Sequence, residues 1–166
     1  MKLNDFVFSN AEKKLIGRKI FFYQSVFNKL FRSNTPNYLQ YTSKIIYAQN
    51  IEVLASSSGN LKISLASSPS LYIQARSKIL IHSSVLIGPR VSIISANHLK
   101  NNFSMFDETG DVSISIGKNV WIGANSVILP NVNIGDNCII GAGSIVTKSI
   151  DNGTTVVGNP ARVIGL

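Results

Sequence analysis

The sequence predicts an all-β chain wound as a solenoid of six-residue repeats, preceded by a short helical segment. Three observations carry that prediction. An aliphatic or small residue recurs at every sixth position from residue 45, a second series follows four places behind it, and glycine trails the aliphatic position in several repeats. The first series reads Ile45, Ile51, Ser57, Ile63, Pro69, Ala75, Ile81, Ile87 and Ile93, then resumes as Ile116, Ile122, Ile128, Ile134, Ile140 and Val146. The second reads Ala55, Leu61, Ser67, Ile73, Ile79, Val85 and Val91, then Val120, Ser126, Val132, Cys138, Ser144 and Ile150. Gly88, Gly117, Gly123, Gly135 and Gly141 stand where a tight corner favours a residue without Cβ.

Neither the 3.6-residue helical period nor strict alternation fits this span. A hexad supplies one flat face and one corner of a triangular coil, and three hexads close a turn. Side chains of one register then stack along an apolar axis while successive coils pair as parallel strands about 4.8 Å apart. The repeats amount to about five coils, or about 25 Å of prism at that spacing. Residues 45–166 are therefore expected to form one solenoid domain, as the length of 166 residues also suggests.

Two segments stand outside the repeat. From Ile93 to Ile116 the separation is not a multiple of six, and the intervening sequence is polar. A protruding loop over about 95–113 is expected, of a length that is usually functional. Residues 1–44 form a separate capping segment. Ser9 and Glu12 have capping-box spacing. Ile16, Ile20, Tyr23, Phe27 and Leu30 follow a helical stripe, predicting a helix from about residue 10 to 32 that stops before Thr35-Pro36. One role for it is to cover the open end of the solenoid. The other is peripheral contact of residues 10–32 with an anionic membrane, since Phe21, Phe22, Val26 and Phe31 widen its apolar face.

Composition narrows the rest. Only 14% of residues are charged, which suits a long buried apolar column. No stretch reaches the roughly 18 apolar residues of a membrane span, and MKLNDFVF lacks the pattern of a secretory signal. A single cysteine forms no internal disulfide. The expectation is a cytoplasmic protein, with the inner membrane face as its peripheral site. The net charge is +8, and Lys2, Lys13, Lys14, Arg18, Lys19, Lys29, Arg32 and Lys44 oppose only Asp5 and Glu12 in the first 44 residues. No zinc-finger spacing and no aromatic RNA-binding motif accompanies that charge, so nucleic acid is not an expected partner.

The stretch VWIGANSVILPNVNIGDNCIIGAGSIVTKSI, followed by VVGNPARVI, closely resembles the C-terminal half of hexapeptide-repeat acyltransferases. The resemblance is strongest to their sugar O-acetyltransferase branch, which includes galactoside, maltose, nodulation-factor and capsule or O-antigen enzymes. It is specific over 112–164, good over 73–98 and merely periodic over 45–72, and it does not reach 1–44. It implies a left-handed parallel β-helix, a homotrimer with active sites between subunits, acetyl-CoA as co-substrate and no metal. Periodicity alone gives neither the hand nor the assembly.

On this resemblance His98, where the chain leaves the coil, matches the family's catalytic histidine. A sugar hydroxyl is a weak nucleophile, and an imidazole, with a reference pKa of about 6.5, is suited to take its proton near neutral pH. The backbone N–H of Ala124 matches the oxyanion donor; family members often carry serine there, and a backbone donor survives the change. Gly88, Trp121, Ala124, Ala142, Thr147, Lys148 and Arg162 match the coenzyme A groove, with Lys148 and Arg162 suited to phosphate. Asn97, Asp107, Glu108 or a backbone carbonyl is a candidate to orient His98. Arg76, His82 and Asn97 are candidates for the acceptor, with His82 expected to line its groove beside Arg76 and Arg90. Cys138, at an inward register, is expected to be core and not a nucleophile.

The function implied is transfer of acetyl from acetyl-CoA to a hydroxyl of a sugar or cell-surface glycan. Serine acetyltransferases and sugar-nucleotide N-acetyltransferases share the C-terminal pattern but carry larger N-terminal parts. A zinc carbonic anhydrase on the same solenoid needs three histidine ligands, and the chain has two histidines. A non-catalytic scaffold would have no use for His98, Lys148 and the GNPAR tail.

Overall fold

The structure, a computed structural model, describes residues 10–17, 19, 22–26, 39–40, 42–55, 59–107 and 113–165; the side chains of residues 11 and 12 lie outside that description. The capping-box pair, Arg18, Ile20, Phe21, residues 27–38, Ser57 and Glu108 therefore fall outside it as well.

The chain winds as a three-sided prism. The first face stacks β1 (Lys44–Ile46), β3 (Tyr72–Gln74), β6 (Ser92–Ile94), β11 (Val127–Ile128) and β14 (Ile145–Val146). The second stacks β2 (Ile51–Leu54), β4 (Ile79–His82), β9 (Ile114–Ile116) and β12 (Val132–Ile134). The third stacks β5 (Leu86–Ile87), β10 (Trp121–Ile122), β13 (Ile139–Ile140) and β15 (Thr155–Val157), closed by the antiparallel β16 (Arg162–Ile164). All other pairings within these faces are parallel.

In the C-terminal coils the repeat is the expected three hexads: Ile114 pairs with Val132, Trp121 with Ile139 and Val127 with Ile145, each 18 residues on. Inward positions such as Ile122, Ile128, Val132, Cys138 and Ile140 are fully buried. Each such aliphatic side chain contributes roughly 1.5–3 kcal/mol by transfer out of water. Ser126 and Ser144 are equally buried, with the Ser126 hydroxyl donating to the Gly141 carbonyl and the Gly158 N–H donating to the Ser144 hydroxyl.

The corner chemistry differs from the expectation. In the C-terminal coils the residues at positive φ include Asn119, Asn125, Asn131 and Asn137, six apart at successive corners with φ of 53°, 61°, 63° and 58°. Asparagine tolerates the left-handed region, so it makes the turn. Gly88, Gly117, Gly123, Gly135 and Gly141 serve another purpose, because a Cβ on any of them would collide with the coil above. At Gly123 it would lie 2.6 Å from the Ala142 nitrogen.

The hexad frame fails between residues 55 and 75. Ile45 pairs with Ile73, 28 residues on, because α2 (Asn60–Ser67) replaces the strand of the first coil on the third face. Ile63 is half-buried, Ser67 and Pro69 are exposed, and Ala55 is exposed at a φ of 67°. The helix buries Leu61 and Leu65 instead and covers the edge of β5. The Leu61 N–H donates to the Ser83 carbonyl, the Ser68 hydroxyl to the Ile87 carbonyl, and the Ile87 N–H to the Ser64 hydroxyl. An edge that would otherwise be open to strand addition is thus satisfied.

The N-terminal segment is not one continuous helix. α1 (Asn10–Ile16) ends at Gly17, whose φ is 89°, and residues 22–26 are helical again. Ile16 and Gln24 are buried, and the Gln24 side-chain amide donates to the Ala66 carbonyl of α2 at 2.9 Å. Leu15, Phe22 and Tyr23 face outward.

Candidate active site

The described part of the insertion between β6 and β9, up to Asp107, is a hairpin and not an irregular loop. β7 (Asn97–Leu99) pairs antiparallel with β8 (Asn102–Asp107), setting Asn97 opposite Asp107 and His98 opposite Phe106. Because the insertion leaves between the first and second faces, His98 stands on the edge those faces share. Its side chain is exposed, and among the described residues neither ring nitrogen has a hydrogen-bond partner. The imidazole is instead stacked on Phe106, with ring centroids 4.1 Å apart and planes inclined by 35°. Neither Asn97 nor Asp107 bonds to it.

Arg76 occupies the same edge, between β3 and β4. Its guanidinium carbon lies 3.9 Å from the Phe106 ring centroid, and its Nη1 donates to the Tyr47 hydroxyl at 3.2 Å. The grouping expected of His82, Arg76 and Arg90 does not occur. His82 closes β4 at the edge between the second and third faces, its Nδ1 bonded to the Ser84 hydroxyl at 2.8 Å, and Arg90 turns the edge between the third and first faces. Rows of consecutive corners thus carry these three residues down three different edges.

Gly88, Ala124 and Ala142 lie on that last edge, Ala124 in register with Ala142 and Gly88 with Gly123, as the pairing of Leu86 with Trp121 and Trp121 with Ile139 requires. Among the described residues the N–H groups of Ala124 and Ala142 have no hydrogen-bond partner, although the Ala124 carbonyl accepts from Gly143. Half-buried and unpaired, the Ala124 amide is free to donate to an incoming oxygen. Trp121 points outward from the third face beside Leu86, about half exposed. Thr147, Lys148 and Arg162 surround a cavity of about 300 Å³ at the C-terminal end of the prism, floored by Val146, Ile150 and Val156. It lies two coils beyond the hairpin, about 10 Å along the axis at the usual strand spacing. Cys138 is fully buried, its thiol against the Asp151 carbonyl. Among the described residues no cluster of three metal-ligating side chains occurs.

A family model of bacterial transferase hexapeptides, six repeats long, matches residues 113–148. Over nearly its whole length the chain also superposes on a galactoside acetyltransferase in complex with coenzyme A: 27% identity, 97% of this chain, 84% of that one, TM-score 0.60. Over the repeat, and along nearly its whole length in structure, the chain is similar to hexapeptide-repeat acyltransferases. A maltose O-acetyltransferase from Clostridium difficile 630 is similar at 28% identity, covering 93% of this chain and 89% of that one, with a TM-score of 0.54. An N-acyltransferase from Bacillus cereus, AntD, in complex with dTDP and 3-hydroxybutyryl-CoA, shares the fold at 21% identity, 76% and 77% coverage and a TM-score of 0.52. No curated protein sequence matches the chain. Among hexapeptide-repeat acyltransferases the left-handed β-helix is the common frame, and this chain adopts it.

Two features of this acyltransferase were not read from its sequence. Phe106 sits in a segment without a period, and its significance comes only from the hairpin register. The corner asparagines had a visible signal, Asn at every sixth position from 119 to 137, which the aliphatic series overshadowed.

Proposed function

We propose that this protein is an acetyl-CoA-dependent O-acetyltransferase acting on a hydroxyl of a sugar or cell-surface glycan. The observation that carries the reading is the pairing of an exposed, unbonded imidazole at His98 with an unpaired amide at Ala124, on a frame shared with galactoside and maltose acetyltransferases.

His98 takes the proton of the acceptor hydroxyl as its oxygen attacks the thioester carbonyl. The Ala124 N–H stabilises the negative charge on that carbonyl oxygen. When the carbon–sulfur bond breaks, the imidazolium returns its proton to the thiolate, so transfer is direct and the residue ends as it began. Gly88, Ala124 and Ala142 offer close backbone approach for the pantetheine arm, Trp121 forms an apolar wall, and Thr147, Lys148 and Arg162 hold the phosphates. Asn97, exposed and next to His98 in sequence, is a candidate contact to the acceptor.

Within one chain His98 and Ala124 stand on different edges of the prism, a whole face apart. This separation supports a homotrimer in which His98 of one subunit meets the Ala124 edge of the next. The outward row of Leu86 and Trp121 supports the same assembly, since exposed apolar side chains in register suit a subunit contact. The packing of Ile16 and Gln24 supports a capping role for the N-terminal segment. Exposed Leu15, Phe22 and Tyr23 beside Lys14 and Lys19 support peripheral contact with the inner face of a membrane in the cytoplasm. Among the described residues no helix is long and apolar enough to cross a membrane.

The test is thiol release from acetyl-CoA in the presence of a panel of sugars, nucleotide sugars and polysaccharides. His98→Ala should lower acceptor-dependent release about 10²–10⁴-fold. Full activity in that variant would remove His98 as the base.

A further inference from the structure

An exposed imidazole with no hydrogen bond to either nitrogen has little to hold its two side-chain torsions, the second of which is intrinsically broad. Yet general-base catalysis needs it within hydrogen-bond reach of one hydroxyl. We propose that Phe106 is the positioning residue of His98, acting as the middle layer of a stack that Arg76 completes. The proposal rests on the reading of His98 as the base.

The backbone sets the first contact. His98 and Phe106 are directly opposed in the β7–β8 pair, so their side chains leave the hairpin on one face. The rings then lie 4.1 Å apart. The second contact comes from the prism itself. Arg76 lies 3.9 Å from the same centroid, close enough for planar groups to crowd on one face, and in this proposal the guanidinium takes the side His98 leaves. Arg76 is anchored in turn by the Tyr47 hydroxyl and lies 5.7 Å from that ring. Tyr47 and Arg76 belong to successive coils of one edge, so the stack ties the base of an inserted hairpin to the rigid solenoid. A guanidinium over a phenyl face is attracted by the ring quadrupole. An imidazole gains from offset or tilted aromatic contact. Both faces of Phe106 are thereby used, and the ring is a support for His98 and not a platform for the acceptor. The edge and nitrogens of His98 remain outward.

The chain has two histidines, so the experiment can follow His98 directly. In the full-length protein, Phe106→Leu keeps apolar bulk but removes the flat face; Phe106→Tyr keeps the face; Arg76→Gln removes the outer layer without touching the hairpin. In proton–carbon spectra without any acceptor, Phe106→Leu should shift the ring signals of one histidine downfield, as the Phe106 ring current is lost, and leave the His82 signals in place. In thiol-release assays Phe106→Leu should lower kcat by about 10- to 100-fold with the KM for acetyl-CoA unchanged, the scale expected when a reacting group is misplaced by about 1 Å. Phe106→Tyr should restore most of that loss, and Arg76→Gln should fall between. Equal losses in the Leu and Tyr variants would overturn the proposal, as would wild-type kcat in both Phe106→Leu and Arg76→Gln while His98→Ala is inactive. If His98→Ala is itself active, the reading of His98 as base falls, while the spectra still report whether the stack forms.

Discussion

Replacing Ala124 by proline separates the chemistry of its amide from the architecture of its corner. The register that sets Trp121 over Leu86 and Ile122 over Ile87 sets Gly123 over Gly88 and Ala124 over Pro89. The same corner, one coil earlier, already holds a proline after a glycine. The Ala124 N–H donates to no described group, so the substitution removes no hydrogen bond from the fold. Proline at a compatible position stabilises by about 0.4–1 kcal/mol through the unfolded chain. Stability should therefore hold or rise slightly. Catalysis should move the other way: loss of one preorganised oxyanion donor costs about 10²–10³ in kcat, or about 2.7–4 kcal/mol. The assays are thiol release at saturating acetyl-CoA and urea unfolding at matched protomer concentration, since assembly contributes to stability. Wild-type kcat in the proline variant would remove the Ala124 amide from the reaction. A lower unfolding midpoint would refute the equivalence of the two corners and trace the lost activity to distortion.

The glycine that precedes this corner predicts the opposite pattern. Gly123→Ala must open a 2.6 Å approach to about the 3.4 Å of ordinary contact, and that shift breaks the 2.8 Å bond from Gly123 N–H to the Ile140 carbonyl. A loss of about 2–3 kcal/mol by urea unfolding is expected, against about 1–2 kcal/mol for Gly143→Ala, which meets nothing within 4 Å but sits at a φ of +72°. Equal losses would contradict close approach as the reason for the glycine. Lys148→Ala and Arg162→Ala should each raise the KM for acetyl-CoA about tenfold with kcat little changed, and the effect should shrink in high salt. A salt-independent KM would exclude a phosphate contact at these residues.

How much of this was legible follows from what repeats. Ile116 to Val146 recur every six residues, each occupies an equivalent pocket between its neighbours, and the burial found at each was readable from the period alone. The segment ISLASSPSLY misled because serine, alanine and leucine satisfy both a coil interior and a helix face. The helical signal was the spacing of Leu61 and Leu65, one turn apart, and it competed with a hexad that the same leucine also fitted. The site was legible only by resemblance, since nothing in the period marks His98, and its partner Phe106 depends on a hairpin register no repeat encodes. A solenoid fixes height along its axis through its period and direction through its edges. His98 enters on an insertion at one edge, while Ala124 belongs to the regular corners of another. No adjustment within a coil brings these two edges together, because a face of paired strands lies between them. The proposed chemistry therefore requires a second copy of the chain, and a stable monomer with full activity would be incompatible with it.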